Sequence, residues 1–325
     1  MNEPPPGDDL RSDPDIPGGI RYDPDLAVHE PMEVPASPSE PSRRRSPLVL
    51  FPIGLLVLAL AVYILFGLIA NEGKTSSDYL EEIRFGRGGA WQAAFEMSRL
   101  IPLEDPRRRD ERFTPALIGL LGASRGEDPQ LRRYLVLALS ELHDPRALEP
   151  LLVSLSDADL QTRIYAVLGL GALGDARAAA GLLPLLSSEE PDLRKAVAYA
   201  LGTLAGPGTS EGLRGLLNDP IEDVAWNAAL SLARRGDREG IPLLTRMLER
   251  SYLDGVRRPD PAGSPVALSE VQKEEAMINA MRSLVALGDG AHLDDLRRVR
   301  SSDPSLRVRQ AAFEALESLR SARRY

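Results

Sequence analysis

Residues 145–175 read PRALEPLLVSLSDADLQTRIYAVLGLGALGD, and this stretch decides the fold. Leu148, Leu151, Leu152 and Leu155 give an i, i+3, i+4, i+7 stripe, the apolar face of a short helix. Asp157-Ala158-Asp159 makes a turn. A second helix is expected from about Leu160 to Leu173, with Ile164, Val167, Leu168 and Leu170 on its apolar side. Gly174-Asp175 closes the unit, glycine being suited to the left-handed residue that ends a helix.

The unit recurs along the chain. Leu139, Leu170, Leu201 and Leu232 stand 31 residues apart, and Leu284 and Leu316 follow at intervals of 52 and 32. Twelve residues after the first five anchors lie Leu151, Leu182, Leu213, Leu244 and Leu296; sixteen after the first four lie Leu155, Leu186, Leu217 and Leu248. Four before the anchors stand Leu135, Ala166, Val197, Ala228, Ala280 and Ala312, all apolar. Self-similarity at such a period marks stacked repeats, whose core grows one layer at a time. Asp128-Pro129, Asp144-Pro145, Asp219-Pro220 and Asp303-Pro304 each offer an N-cap acid followed by a first-turn proline. Gly236 and Gly288 end helices as Gly174 does. No segment alternates as a strand must, so the expected class is all-α, a right-handed α-solenoid of about six to seven helical hairpins. Met97-Ser98-Arg99-Leu100 echoes Leu139-Ser140-Glu141-Leu142 and adds a divergent first unit, which makes seven second helices with caps at the ends.

Leu168-Gly169-Leu170-Gly171-Ala172-Leu173-Gly174-Asp175, Ala200-Leu201-Gly202-Thr203-Leu204-Ala205-Gly206 and Ser283-Leu284-Val285-Ala286-Leu287-Gly288-Asp289 share one closure. With two short antiparallel helices every 31 residues, the chain resembles HEAT-like repeats of the kind grouped with the phycobilisome lyases, over about residues 77–325. That resemblance implies a fold more than a function, because such repeats serve scaffolds, chaperone-like factors and a few enzymes.

The chain has 325 residues, no cysteine and a net charge of −9. Disulfides, thiolate metal sites and cysteine nucleophiles are excluded. Three lysines against 36 arginines, with abundant Ala, Gly and Pro, point to a GC-rich bacterial genome. Residues 1–46 carry ten acids and five arginines, and their prolines and few large apolar side chains predict a disordered tail. Arg11-Ser12-Asp13-Pro14-Asp15-Ile16 and Arg21-Tyr22-Asp23-Pro24-Asp25-Leu26 repeat within it, as low-complexity drift or as a duplicated docking motif. Residues 47–70 are 24 uncharged residues rich in Leu, Val and Ile. As a helix they reach about 35 Å, enough for a single transmembrane span. Arg43, Arg44 and Arg45 precede the span, so the tail is expected in the cytoplasm and the repeats outside it, periplasmic on the inner membrane of a Gram-negative cell. Residues 71–78 read as a linker and 79–325 as the repeat domain.

Asp144, Asp175, Asp237 and Asp289 at the repeat closures recur in step with Arg132, Arg163, Arg194 and Arg307 near the second-helix starts. Recurrence at the structural period reads as salt bridges and caps that hold repeats in register, not as a ligand row. What breaks the period is the better functional candidate: insertions at about 103–114, between repeats, and 251–270, between the two helices of one repeat. They are expected at opposite edges of the solenoid.

No catalytic constellation emerges. Of the histidines His29, His143 and His292, only His29 is followed by Glu, and it lies in the tail, so the His-Glu pairs of di-iron HEAT hydroxylases are missing. No cofactor, metal or small-molecule substrate is indicated. The domain is net acidic and has few aromatics, which argues against a nucleic-acid partner. Trp226, on a second helix where other repeats hold Val197 and Ile164, reads first as core packing. The expected function is a membrane-anchored scaffold whose second helices form a concave wall for a protein partner. Its candidate contacts are Arg133, Gln161, Thr162, Lys195, Asp223, Asn227 and Gln310, with the insertion arginines Arg107, Arg108, Arg257 and Arg258. The alternatives are a lyase-like HEAT-repeat enzyme or cofactor-handling factor, and the same scaffold facing the cytoplasm.

Overall fold

The computed structural model describes residues 56, 58–62, 74–86, 89–124, 126, 128–259, 263–288 and 292–322 (the side chain of residue 108 excepted). The chain divides into two compact units, Met1–Asn71 and Glu72–Tyr325, and the repeats occupy the second. Among the described residues no helix is long and apolar enough to cross a membrane. Most of the run 47–70 lies outside them; residues 58–62 are helical, with Leu58, Leu60 and Val62 exposed. The tail motif, His29 and Asp289 also lie outside the described residues.

Among the described residues seven helical pairs follow one another. Their second members are α2 (Ala90–Leu100), α4 (Pro129–Glu141), α6 (Leu160–Leu173), α8 (Pro191–Leu201), α10 (Glu222–Arg234), α13 (Glu270–Ala286) and α15 (Leu306–Ala322). The first members are α1 (Ser76–Arg84), α3 (Phe113–Ala123), α5 (Leu148–Ser154), α7 (Ala178–Leu182), α9 (Thr209–Gly215), α11 (Ile241–Arg246) and α14 (Leu293–Ser302). Several first members are short and run into or out of 3-10 turns. Second helices stack consecutively into a wall, and all six anchor leucines are at most 1% exposed. Close stacking needs small residues: a Cβ on Gly171 would lie 2.9 Å from the Ala200 Cα.

Local signals set the ends. Thr75 and Asp78 make a capping box on α1, and Ser269 and Gln272 make one on α13. Gly174, Gly236 and Gly288 take φ of 71°, 76° and 65°. His143, one period before Gly174, is forced to φ 50° and is the one non-glycine at positive φ among the described residues. Asp128-Pro129 and Asp144-Pro145 cap as expected. Asp219-Pro220 and Asp303-Pro304 do not, because α10 starts at Glu222 and α15 at Leu306. Their carboxylates serve the preceding turn instead, accepting from the Ile221 and Ser305 amides.

The acid row differs from expectation in a related way. Arg132 grips Asp157 at 2.8 and 3.1 Å, and Arg194 grips Asp219 at 2.8 and 2.9 Å. The acid is thus the one in the turn of the next hairpin, not the closure aspartate. Asp144 and Asp175 pair with the nearby Arg146 and Arg177, each at 2.6 Å, and Asp237 reaches back to Arg214 of its own hairpin at 2.6 Å. Arg163 donates to the carbonyls of Asp157 and Ala158, with Ser188 standing where the next acid would be. Its counterpart in the last hairpin is Arg309, which donates to the Asp303 and Pro304 carbonyls. Arg307 lies apart, 3.6 Å from Glu274.

The all-α class holds, and the second insertion adds one local departure from the expected absence of strands. It forms α12 (Arg250–Gly255) and a two-stranded antiparallel hairpin, β1 (Arg257–Pro259) with β2 (Pro265–Ala267), in which Arg258 opposes Val266. Leu253, Val256 and Leu268 sink into the core. Arg250 bridges Asp303 at 2.7 Å and Glu270 at 2.6 Å, while Lys273 holds both Asp254 and Glu270. The first insertion is also packed down. Arg109 is half-buried over the Phe113 ring and donates to the Ile101 carbonyl, and Glu104 accepts from the Ser76 amide at the start of α1.

Candidate functional site

The exposed side of each second helix is set by register. In the repeats before the last, residues six, five and two before the anchor lie on the side away from the first helices, because the anchor and the residues four and three before it are buried; in the last repeat Phe313, three before Leu316, is exposed. Trp91 and Trp226 both stand six before their anchors, Tyr134 and Tyr165 five before, and Phe95, Leu137, Leu168, Tyr199 and Leu230 two before. Trp91 stacks on Tyr134 at 6.2 Å, and Phe95 meets Tyr134 edge-on at 5.1 Å. Arg99 lies over Phe95 and Arg234 over Tyr199, at 5.6 and 5.0 Å. Leu168 is 37% exposed and Tyr199 49%, so the middle of the wall presents apolar surface to solvent. Sequence reading selected the polar positions and passed over this aromatic row. Its signal was present, since Tyr134 and Tyr165 are one period apart.

The polar candidates separate into two groups. Arg133 is bound to Asp159 at 2.8 Å, and Asp159 also accepts from the Thr162 amide and hydroxyl. The Arg133 guanidinium, opposed by partial burial and helped by Thr162, holds the Asp159 carboxyl down at about 2. Thr162 is fully buried, so it is a capping residue and not a contact. Gln161 is half-buried. Gln310 is exposed and bonded to Glu314, and Arg107 is exposed on the first insertion; neither joins another candidate. The side chain of Arg108 lies outside the described residues. Arg257 folds back onto the Asp254 and Val256 carbonyls.

Lys195, Asp223, Asn227 and Arg258 do come together. They line one hollow of about 250 Å³ beside Trp226, between α8, α10, α13 and the hairpin. Arg258 reaches from β1 to pair with Asp223, its guanidinium 5.7 Å from the Trp226 ring centre. Trp226 is 4% exposed and donates from Nε1 to the Tyr252 hydroxyl at 3.1 Å, which makes it the packed floor of the hollow. On the other side of Arg258 lies a second hollow of about 360 Å³, with Ile221, Val256 and Pro259 in its walls. Lys195 is drawn toward Asp192 at 2.7 Å. A larger hollow of about 580 Å³ lies elsewhere, near Ile118, Leu121 and Val153. The Arg132–Asp157 bridge closes one side of it.

No group of three or more His, Asp or Glu side chains placed to hold a metal ion occurs among the described residues. The wall offers apolar rings, paired charges and free amides, which suit non-covalent contact with a protein surface.

Comparison with known families fits this architecture. A profile of HEAT repeats matches residues 114–202 and 179–259. A comparison with curated proteins finds no match. Similar solved structures include YibA of Escherichia coli, 13% identical, covering 74% of this chain and 82% of that one with a TM-score of 0.49. The CpcE–CpcF phycocyanin lyase complex of a Nostoc species is 19% identical over 77% of this chain and 97% of that one, with a TM-score of 0.47. An archaeal HEAT-like repeats protein of Thermococcus onnurineus is 14% identical over 77% and 99%, with a TM-score of 0.43. The 31-residue period, the paired helices and the profile match together make residues 114–259 a run of HEAT repeats.

Proposed function

We propose that this protein is a membrane-anchored HEAT-repeat adaptor that holds a protein partner on its second-helix wall, without catalytic chemistry of its own. The observation that carries this reading is the in-register row of aromatic and aliphatic side chains, with Leu168 and Tyr199 exposed at its centre and arginines over its rings. Rows of this kind, one contribution per repeat, give extended protein-binding surfaces. The uncharged run 47–70 supplies the anchor, and Arg43, Arg44 and Arg45 keep the tail in the cytoplasm, so the wall works in the periplasm. Neither a cofactor nor a small-molecule substrate enters, and the acidic balance of the repeats disfavours nucleic acid.

The test is site-specific photocrosslinking in living cells. A crosslinker in place of Tyr199 or Leu168 is expected to trap one discrete protein, and a crosslinker at Val153, exposed on α5 of the other wall, is not. Turnover of a substrate, or a stoichiometric chromophore retained by the purified full-length chain, would overturn the adaptor reading. Reporter fusions at both termini test the orientation; a cytoplasmic C-terminus reverses it.

A further inference from the structure

Asn227 and Asn279 both stand five residues before their anchors, Leu232 and Leu284. Register therefore places them side by side on the adjoining helices α10 and α13, and both line the hollow beside Trp226. The same position holds Gln92 in the first repeat and Tyr134, Tyr165, Ala196 and Ala311 in others, so two carboxamides on adjoining second helices occur at the two repeats that flank the hairpin. Folding leaves most of this hydrogen-bonding capacity unused. Asn279 is exposed, and its side chain makes no hydrogen bond among the described residues. Asn227 spends one N–H on the Asp223 carbonyl, at 2.7 Å, and keeps its side-chain oxygen.

A primary carboxamide carries donors and an acceptor in one plane, the same complement that a peptide unit presents. Charge narrows the occupant further. Lys195 and Arg258 are balanced by Asp223 and Glu275 in the lining, so the cleft has no net pull on a polyanion. Beyond Arg258, the second hollow adds the apolar walls of Ile221, Val256 and Pro259, room for a side chain next to a site for main chain.

We propose that this cleft binds an extended segment of the partner protein, whose main chain is held by Asn227 and Asn279 while an apolar side chain enters the hollow beyond Arg258. The inference rests on the adaptor reading and adds the form of the partner. The experiment pans the full-length protein in detergent micelles against phage-displayed random linear dodecapeptides. Enriched peptides are expected to lose about tenfold in affinity for the Asn227→Ala/Asn279→Ala protein, the loss of two hydrogen bonds. N-methylation of a central peptide nitrogen is expected to cost a similar factor, which a purely side-chain contact would not. Because Asn279 is exposed, Asn279→Ala alone keeps the test valid if the double variant unfolds, with a loss of about threefold. Failure to enrich any peptide, or enriched peptides indifferent to both asparagines and to N-methylation, overturns the proposal. Either result leaves the crosslinks at Tyr199 and Leu168 standing, so the two readings fail separately.

Discussion

The regular repeats around α4 to α8 and the interrupted ones around α10 to α15 join neighbours by different means. In the first group the joint is built into the period: an arginine seven before the anchor reaches an aspartate thirteen before the next anchor, as in Arg132–Asp157 and Arg194–Asp219. In the second group the arginine position holds Ala225 and Met277, yet Asp303 still stands thirteen before its anchor. Its partner is Arg250, supplied by α12 of the insertion. The insertion thus replaces a lost rung, and only its outer strand and the Trp226 cleft remain as departures to be explained by function. The two groups meet at α10, which gives Val224, Ala228 and Leu232 to one core cluster and Trp226, Ala229 and Ala233 to the other.

The strongest way to break this comparison is to damage each core in turn. Leu201→Ala and Leu284→Ala, both at fully buried anchors, are each expected to cost about 3–4 kcal/mol. Because α10 is shared, both should lower one cooperative transition in chemical denaturation followed by tryptophan fluorescence and circular dichroism. Two separate transitions, with Leu284→Ala moving only one, would show that the interrupted half folds by itself.

The rungs come next. Asp219 and Asp303 have side chains 5% and 3% exposed, each gripped by two nitrogens of its arginine. Removing either acid takes the buried carboxylate from its guanidinium, leaving Arg194 only the Ser188 and Glu189 carbonyls and Arg250 only the exposed Glu270, so Asp219→Ala and Asp303→Ala should each cost about 3 kcal/mol by denaturant midpoint. Equal costs support replacement of the rung by the insertion. A cost for Asp303→Ala well below that for Asp219→Ala would leave α12 as a passenger.

What sequence reading caught and missed follows the same division. The anchors, the seven second helices and the glycine ends were legible because periodicity reports burial, and burial repeats. The arginine row was legible, but its partners were not: pairing runs between hairpins, and sequence distance alone favoured the closure aspartates. Asp219-Pro220 and Asp303-Pro304 looked like caps because the same acid-proline pair suits a turn whose carboxylate is used elsewhere. The hairpin at 257–267 was missed since three-residue strands are too short to show alternation. Of the cleft, Lys195, Asp223, Asn227 and Arg258 were legible as polar residues off the buried face; Asn279, five before the Leu284 anchor, was equally legible by register but does not stand out until the fold sets it beside Asn227.

A smaller effect, in pH, sharpens the contrast from within the regular half. Asp159 has its carboxyl lowered from 3.8 to about 2 by Arg133 first and by Thr162. A depressed carboxyl contributes stability that is present above 3.8 and is lost as pH falls through about 2. Asp159→Asn should therefore lower stability by about 1–2 kcal/mol near neutrality, after discounting for partial exposure. The gap from wild type should close by about pH 2 in thermal melts across pH. A gap that persists unchanged at that pH would assign the loss to the cap geometry alone.

The last test builds a rung where the regular half lacks one. Ser188 stands thirteen before Leu201, the position of Asp157 and Asp219, and 25 residues after Arg163. Its hydroxyl accepts from the Glu190 amide, as the Asp157 and Asp219 carboxylates accept from Asp159 and Ile221. An aspartate at 188 can therefore keep the turn and add a carboxylate within the register of the Arg163 guanidinium. Arg163 would retain its bonds to the Asp157 and Ala158 carbonyls, because Arg194 makes the corresponding bonds to Ser188 and Glu189 while gripping Asp219. Ser188→Asp is expected to stabilise the protein by about 0.5–1 kcal/mol, the scale of a partly exposed ion pair, and the gain should vanish in Arg163→Ala. A gain that survives Arg163→Ala would mean that the turn, and not the rung, limits the joint between α6 and α8.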